Sequence, residues 1–368
     1  VLQPWMAILP LSERAAQSGL VSTGQATPAC EASRAPAMEN WASMTTSQSA
    51  SCATPASPPT QDRIDVHHHM FSPAYVSELA KVNQAPPIVR NWSVARTLED
   101  MDRAGVRTSV VSVTTPQVSF VDGPQAARIA RESNEWAARL RTDHPGRFGF
   151  FAMLPMQQMD ATLRELEYAL DTLKADGVGL LTSYGDKWLG HAQFAPLMDE
   201  LNRRKAICYT HPTAANCCRN VLADIPPTVI EYGTDTTRTI TDLVFSGTAA
   251  RCPDIRFIFS HAGGTLPFLV ERLVKVPVID ARMAARVPRG VLTELRRFYY
   301  DTAWAYHPGA LASLTKLVDV DQILLGSDFP YVSGPETVRN LLGYGFTPSQ
   351  LRAIERGNAL RLLPHLAA

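Results

Sequence analysis

The segment RIDVHHHMF, residues 63–71, places three consecutive histidines after a carboxylate and a short apolar run. Imidazole nitrogens are common ligands of divalent metal ions, so these side chains are candidate ligands. Because successive side chains of a strand point to opposite faces, His67 and His69 would share one face and His68 the other. The pattern therefore predicts His67 and His69 as ligands and gives His68 no role. The alternative, part of a purification tag, is disfavoured because tags are longer and do not lie inside a strand pattern.

Three further side chains with acid–base chemistry lie at the ends of apolar runs. His211 ends AICYTH, His261 ends IRFIFSH and Asp328 ends QILLGSD. If these runs are parallel strands of one barrel, their carboxyl ends meet at one face, where such barrels hold their active sites. Three imidazoles and one carboxylate suit Zn²⁺, or Mn²⁺ or Fe²⁺ at a more open site. Taken singly, each residue could instead be structural, and Asp328 could simply cap the following turn.

The elements that must position these side chains are eight apolar, often β-branched runs that alternate with amphipathic segments. The runs are residues 63–67, 108–114, 147–153, 177–184, 206–211, 255–261, 298–303 and 322–328. Runs that are apolar through their middle are typical of strands buried on both faces of a parallel sheet. Eight strand–helix units predict an α/β fold of the (β/α)8 TIM-barrel type. A doubly wound open sheet is the alternative, but no strand precedes a glycine-rich phosphate loop.

The N-terminal segment, residues 1–61, differs in composition from the rest of the chain. From residue 22 onward it is rich in Ser, Thr, Ala and Pro, as in TTSQSASCATPASPPTQ. Such a segment buries too little apolar surface to offset the entropy of ordering it. The sequence therefore predicts a disordered extension over 1–61 and one catalytic barrel domain over 62–368.

The overall charge balance disfavours two classes of partner. Lys and Arg number 35, as do Asp and Glu, so the formal net charge is zero. Nucleic acids and anionic membranes favour a basic face, so neither is an expected partner. No apolar stretch approaches the roughly 20 residues that span a bilayer. The six cysteines contain no CxxC pair, which favours reduced thiols in a cytoplasmic protein.

The motifs IDVHHH, THP, SHAGGTLPF and LLGSDFP resemble the signatures of the amidohydrolase superfamily. The resemblance is to the branch of the aminocarboxymuconate-semialdehyde decarboxylase-like enzymes and covers residues 63–365. Within that branch, the segments RFGFFAMLP, DGVGLLTSYG and DTTRTITDLVFSG look most like those of 6-methylsalicylate decarboxylases. The resemblance implies a metal-dependent, non-oxidative decarboxylase of a small aromatic acid of the ortho-hydroxybenzoate type. The implied reaction converts 6-methylsalicylate to m-cresol and CO₂.

The resemblance also implies a role for each matching position. His67, His69, His211 and Asp328 would hold one divalent metal ion, with Zn²⁺ the first choice and Mn²⁺ possible. His261 would be the acid/base beside the metal, and Asp328 would also carry the proton. The fourth run, GVGLLTSY, lacks the lysine that bridges two metals in binuclear members, so a single ion is expected.

Two arginines are candidates for binding the carboxylate of the acid. Arg272 lies eleven residues after His261, where related decarboxylases place an arginine that reaches the site of a partner subunit. This implies a homodimer; the alternative is a surface arginine on an amphipathic helix. Arg238, in the segment DTTRT, is the second candidate.

Two other functions remain open on the same residues. A metal-bound hydroxide poised by His261 and Asp328 would instead hydrolyse a lactone or an amide. A metal-binding or scaffold protein on a degenerate barrel would be favoured if either residue were absent, and both are present. For a flat ring, an apolar wall is expected from Trp188, Trp304, Phe329 and Tyr331, with core packing as the alternative for each.

Overall fold

The structure, a computed structural model, describes residues 62–219 and 221–367. In this part of the chain, eight parallel strands pair in chain order around a barrel. The strands are β1 (Arg63–His69), β2 (Val106–Ser112), β3 (Phe148–Met153), β4 (Gly177–Leu181), β5 (Ile207–His211), β6 (Arg256–Phe259), β7 (Tyr299–Asp301) and β8 (Ile323–Leu324). The predicted (β/α)8 barrel is confirmed, and the open-sheet alternative is wrong. The predicted disordered extension, residues 1–61, lies outside the described residues.

The helices follow the strands as the alternating pattern predicts. The α-helices of the described residues are α1 (Pro73–Lys81), α2 (Pro87–Arg90), α3 (Val94–Ala104), α4 (Gly123–Asp143), α5 (Met159–Glu167), α6 (Ala195–Arg203), α7 (Pro227–Phe245), α8 (Thr248–Arg251), α9 (Leu266–Ile279), α10 (Ala281–Arg286), α11 (Val291–Arg296), α12 (Pro308–Leu317), α13 (Gly334–Gly343), α14 (Pro348–Arg352) and α15 (Asn358–Leu362). Helix α3 begins as its sequence indicates, because the Ser93 side chain accepts a hydrogen bond from the backbone N–H of Arg96. It ends at Gly105 in the left-handed conformation, at φ 65°.

Closure of the barrel depends on the segment that follows the two-residue strand β8. The backbone N–H of Val66 donates to the carbonyl of Leu325 at 2.9 Å. Further along, the N–H of Asp328 donates to the His67 carbonyl, and the N–H of His69 donates to the Phe329 carbonyl, each at 2.8 Å. The histidine segment of β1 and the Asp328 segment are therefore held side by side by their own backbones.

The barrel interior is apolar toward the amino ends of the strands. Residues of six strands form one buried cluster there, together with residues of α15 and the segment after it. The strand members are Ile64, Val66, Val110, Phe151, Ile207, Tyr209, Ile258 and Leu324. Two larger clusters pack the outer faces of the strands against the helices. Because the lower interior is filled by these side chains, the polar residues of β1 and β5 are confined to the carboxyl end.

Five strands, β2, β4, β6, β7 and β8, end earlier than the sequence predicts, and in β6 and β8 the difference concerns a candidate site residue. Strand β6 stops at Phe259, and His261 follows in a short turn with φ 54°. Strand β8 stops at Leu324, and Asp328 follows with φ 70°. A left-handed residue cannot continue a parallel ladder, so both side chains project from turns just beyond their strands.

Two further expectations concern membranes and thiols. Among the described residues, no helix is long and apolar enough to cross a bilayer. The four cysteines in the same part of the chain, Cys208, Cys217, Cys218 and Cys252, are free thiols.

Substitution of Gly326 tests how closely the segment after β8 packs against the carboxyl end of β1. A Cβ at this position would lie 2.7 Å from the Cβ of His67 and 2.9 Å from the Cβ of Asp301. Both atoms are fixed to the backbone, so Gly326→Ala should destabilise the fold by roughly 1–3 kcal/mol through overpacking. The measurement is thermal and urea unfolding. Gly343→Ala is the matched control, because nothing lies within 4 Å of its Cβ position; equal stability of the two variants would contradict the packing.

Candidate metal centre

Four buried side chains from distant parts of the sequence meet at the carboxyl end of the barrel. They are His67 and His69 of β1, His211 at the end of β5 and Asp328 in the turn after β8. Each offers one ligand atom, and these atoms all lie within 4.8 Å of one another. A set of three imidazoles and one carboxylate at this spacing can surround a single divalent cation.

The three imidazoles are oriented by contacts on the ring nitrogen that faces away from the cluster. These contacts are His67 Nδ1 to Asp301 Oδ2 at 2.8 Å, His69 Nδ1 to Ser112 O at 3.3 Å and His211 Nδ1 to Pro212 O at 2.9 Å. An Nδ1–H that donates to an oxygen leaves the Nε2 lone pair available for a metal. This tautomer would present Nε2 to a metal in all three side chains, although His69 Nε2 also lies 2.8 Å from Asp328 Oδ1 and His211 Nε2 lies 3.1 Å from Thr114 Oγ1.

The surroundings of the His67 Nε2 atom indicate whether the cluster suits a cation. It is buried and makes no hydrogen bond, although it lies 3.1 Å from Asp328 Oδ1. A buried polar atom without a hydrogen bond is costly, and metal coordination would remove that cost. The donor set and this nitrogen together fit a divalent metal ion.

Asp328 divides its two carboxylate oxygens between different neighbours. Oδ1 lies 2.8 Å from His69 Nε2 and faces the histidine cluster. Oδ2 accepts a hydrogen bond from Trp304 Nε1 at 2.7 Å and lies 3.5 Å from His261 Nε2. One side chain thus belongs to the candidate ligand set and also contacts the candidate acid/base.

The charges within the cluster favour a cation. Burial lowers the pKa of His67, but Asp301 and Asp328 outweigh it and raise the pKa to about 10. Burial raises the pKa of Asp328, but His67, His261 and His69 hold it well below its usual range. Burial lowers the pKa of His69 and of His211. Without metal, one proton therefore resides on His67 between two carboxylates, where a cation is strongly favoured.

Asp301 supports the cluster in a way that its position in the sequence did not reveal. While Oδ2 contacts His67, Oδ1 accepts the backbone N–H groups of His261 at 2.9 Å and Ala303 at 3.1 Å. One buried carboxylate therefore orients a candidate ligand and also anchors the turn that carries His261. No local pattern marks this contact, because Asp301 and its partner in β1 lie 234 residues apart in the sequence.

Asp65, on the other side of β1, likewise joins separate segments of the chain through hydrogen bonds to its carboxylate. Its carboxylate accepts the backbone N–H groups of His67 at 3.0 Å and Ser327 at 3.1 Å. It also contacts His68 Nδ1 at 3.0 Å, and the His68 ring stacks on Phe329 at 4.8 Å. The side chain of His68 thus points away from the cluster, as strand alternation predicts.

A cleft of about 660 Å³ lies near His211, and none of the four cluster residues lines it. Its wall includes Tyr232, whose ring lies 6.1 Å from that of His211. Thr115 and Thr213 line the same space from the segments after β2 and β5. A volume in this range accommodates a small organic molecule. We call this space the entrance cleft.

The aromatic residues expected to form a wall take different positions. Trp304 and Tyr331 adjoin the cluster, through the hydrogen bond to Asp328 and a ring distance of 5.8 Å to His69. Trp188 donates instead to Asp235 at 2.8 Å. The ring of Phe329 lies on His68, away from the cluster.

Neither predicted arginine belongs to the cluster. Arg238 lies on α7 with its guanidinium 3.4 Å from Glu231 and 3.6 Å from Asp235. Arg272 is exposed on α9. Their predicted role in binding a substrate carboxylate stays a prediction.

Comparison with known proteins gives a consistent set of likenesses. The family profile described as Amidohydrolase matches residues 64–365. The decarboxylase yanB of Aspergillus niger is 40% identical, over 82% of this chain and 88% of that protein. The 6-methylsalicylic acid decarboxylase of Penicillium expansum is 35% identical, over 83% of this chain and 97% of that protein.

Solved structures extend the likeness to the fold. The dihydroxybenzoic acid decarboxylase of Polaromonas sp. JS666, with bound manganese and 2-nitroresorcinol, aligns with a TM-score of 0.74. It is 21% identical, and the alignment covers 82% of this chain and 97% of that chain. At this identity the match supports the barrel fold alone.

Proton release on metal binding tests the charge arrangement of the cluster. His67, with its pKa of about 10, is protonated near pH 7 and must lose its proton to bind a metal. Loading metal-free protein with Zn²⁺ or Mn²⁺ should therefore release about one proton. The measurement is calorimetry in buffers of different ionisation enthalpy.

The matched pair of variants for this test removes a single carboxylate. Asp301→Asn should lower the pKa of His67, because one of the two acidic neighbours of this side chain is lost. The number of protons released near pH 7 should therefore fall, and proton release should shift to lower pH. The Asp321→Asn variant, changed at an exposed position, should release as many protons as the unaltered protein. Heats that do not depend on the buffer in the unaltered protein would contradict the protonated His67.

Proposed function

This chain belongs to the amidohydrolase family, and on that premise we propose that it decarboxylates 6-methylsalicylate to m-cresol and CO₂. The broader activity is a metal-dependent, non-oxidative decarboxylation of a small aromatic acid. The observation that carries the proposal is the likeness, over four fifths of the chain, to decarboxylases that include a 6-methylsalicylic acid decarboxylase. The proposal includes a cytoplasmic location, which the free thiols of the described residues support.

We assign His67, His69, His211 and Asp328 as the ligands of one divalent metal ion. Their ligand atoms meet within 4.8 Å, and the Nε2 of His67 lacks a hydrogen-bond partner. Zn²⁺ suits three imidazoles and a carboxylate, while the manganese in the Polaromonas relative makes Mn²⁺ the alternative. The bound ion would supply Lewis-acid stabilisation of negative charge on the oxygens of the acid.

The residues that move the proton are His261 and Asp328. Cleavage of the carbon–carbon bond requires a proton at the ring carbon that bears the carboxylate. The electrons of the broken bond stay with the ring, CO₂ leaves, and no water is consumed. His261 Nε2 lies 3.5 Å from Asp328 Oδ2 and makes no hydrogen bond. On the strength of this contact, we assign His261 and Asp328 as the pair of side chains that delivers the proton to the ring carbon.

A hydrolase acting on a lactone or an amide would use the same side chains with a water nucleophile. No specific contact in the cluster favours that reaction. The decarboxylase proposal is favoured because the relatives with 35% identity or more are named decarboxylases.

The decarboxylase proposal is tested by incubating metal-loaded protein with 6-methylsalicylate. We expect equal amounts of m-cresol and CO₂, measured by chromatography and gas analysis, without incorporation of oxygen from labelled water. His67→Ala should lose both bound metal and turnover. His191→Ala, at an exposed histidine, should keep both. Absence of m-cresol together with turnover of lactones or amides would replace the decarboxylase by the hydrolase.

We further propose a homodimer in which Arg272 serves the site of the partner subunit. The same helix, α9, carries strongly exposed apolar side chains, with Phe268 86%, Val278 78% and Ile279 80% exposed. Apolar side chains exposed together are typical of surfaces that contact another protein. Arg238 remains the second candidate for binding substrate, although two carboxylates already face its guanidinium.

The homodimer predicts a concentration-dependent activity. Dilution below the dissociation constant should lower the specific activity, because a monomer would lack the Arg272 of its partner. Phe268→Glu should shift the protein toward monomer in analytical ultracentrifugation and lower activity in parallel. A fully active monomer would exclude both the dimer and the role of Arg272.

A further inference from the structure

We propose that Arg219 binds the carboxylate of the aromatic acid in the entrance cleft. The inference rests on the proposed function, because it names the side chain that recognises the acid. No motif in the sequence marks Arg219, and the two arginines that the sequence did single out lie elsewhere. The proposal depends on where the chain places this side chain and on the charges around it.

The position of Arg219 connects it with the histidine cluster. It directly follows the short helical turn Asn216–Cys218, in the connection between β5 and α7. Its side chain lines the entrance cleft together with Thr213 and Tyr232. The Tyr232 ring, which lines the same cleft, lies 6.1 Å from the His211 ring, so this wall of the cleft adjoins the cluster.

The guanidinium of Arg219 is available to a ligand. Its one hydrogen bond within the described residues runs from Nε to the carbonyl of Ala214, at a long 3.4 Å. In the same residues it forms no ion pair. The remaining N–H groups form a planar fork that matches both oxygens of a carboxylate.

The other two arginines are less suited to this task within one subunit. Arg238 already faces the carboxylates of Glu231 and Asp235, so its charge is compensated. Arg219 and Arg272 are both exposed, but Arg272 lies on α9 and does not line the cleft. Among the described residues that line the cleft, Arg219 is the only arginine or lysine.

This location has a consequence for the order of binding and release. The acid enters as an anion, whereas the phenol product is neutral near pH 7, since a phenol ionises near pH 10. A cation in the wall of the cleft therefore attracts the substrate and loses its attraction once CO₂ has left. Arg219 would thereby favour binding of the acid over binding of its own product.

The test compares binding of the acid with binding of the phenol. Arg219→Gln should raise the KM for 6-methylsalicylate roughly ten-fold or more, the loss expected for a charge-assisted hydrogen bond. Its kcat should not fall, because a cation that holds the carboxylate stabilises the bound acid at least as much as the transition state, in which the charge moves from the carboxylate to the ring. Inhibition by m-cresol should be unchanged. Arg219→Lys, which keeps the charge, should recover part of the affinity.

Arg282→Gln is the matched control, since Arg282 is exposed on α10 and pairs only with Asp280. It removes the same charge and should leave KM unchanged. Equal KM values for Arg219→Gln and Arg282→Gln would overturn the proposal. A parallel loss of affinity for acid and phenol would also overturn it, because that result indicates a damaged cleft. Circular dichroism and metal content establish that each variant is folded.

Direct binding separates this inference from the proposed reaction. Salicylate and phenol are titrated against metal-loaded protein, with tryptophan fluorescence as the readout. If no aromatic acid is turned over but Arg219→Gln selectively loses salicylate, the decarboxylase proposal fails while the anion site stands. If turnover occurs and salicylate binds both proteins equally, the decarboxylase stands and the role of Arg219 is refuted.

Discussion

The pairing of β1 with the segment after β8 is the interaction on which both the fold and the candidate site depend. The last strand has only two ladder residues, so the hydrogen bonds of residues 66–69 with residues 325–329 complete the barrel. The same peptide groups carry His67, His69 and Asp328. Asp65 strengthens the junction by accepting N–H groups from both segments. A change that separates the two segments should therefore open the barrel and disperse the proposed ligand set together.

Much of this arrangement follows from local sequence patterns. Apolar runs of strand length identify the eight strands, and alternation within RIDVHHH separates His67 and His69 from His68. The shared carboxyl face of a parallel barrel then brings His211, His261 and Asp328 to one end. These inferences need only the position of each strand, which short-range periodicity indicates, and the parallel arrangement of the strands in a barrel.

The supporting contacts could not be predicted in this way, because each joins residues far apart in sequence. Asp301 meets His67 across 234 positions, and Asp65 meets Ser327 across 262. Arg219 has no motif, and its proposed role follows only from its place in the wall of the cleft, in the connection after β5. The ends of β6 and β8 also escaped prediction, because the left-handed conformations of His261 and Asp328 leave no signature in hydrophobic periodicity.

The left-handed conformation of Asp328 explains how one carboxylate can serve two tasks. An L-residue at φ 70° is strained, and such strain persists only where surrounding contacts offset it. Here the backbone N–H of Asp328 donates to the carbonyl of His67, and Trp304 Nε1 donates to Asp328 Oδ2 at 2.7 Å. With that oxygen held toward His261, Oδ1 is left to face the histidine cluster. An extended residue at this position would continue the strand and lose the turn, so the left-handed conformation is what lets one side chain take both proposed roles, metal binding and proton transfer.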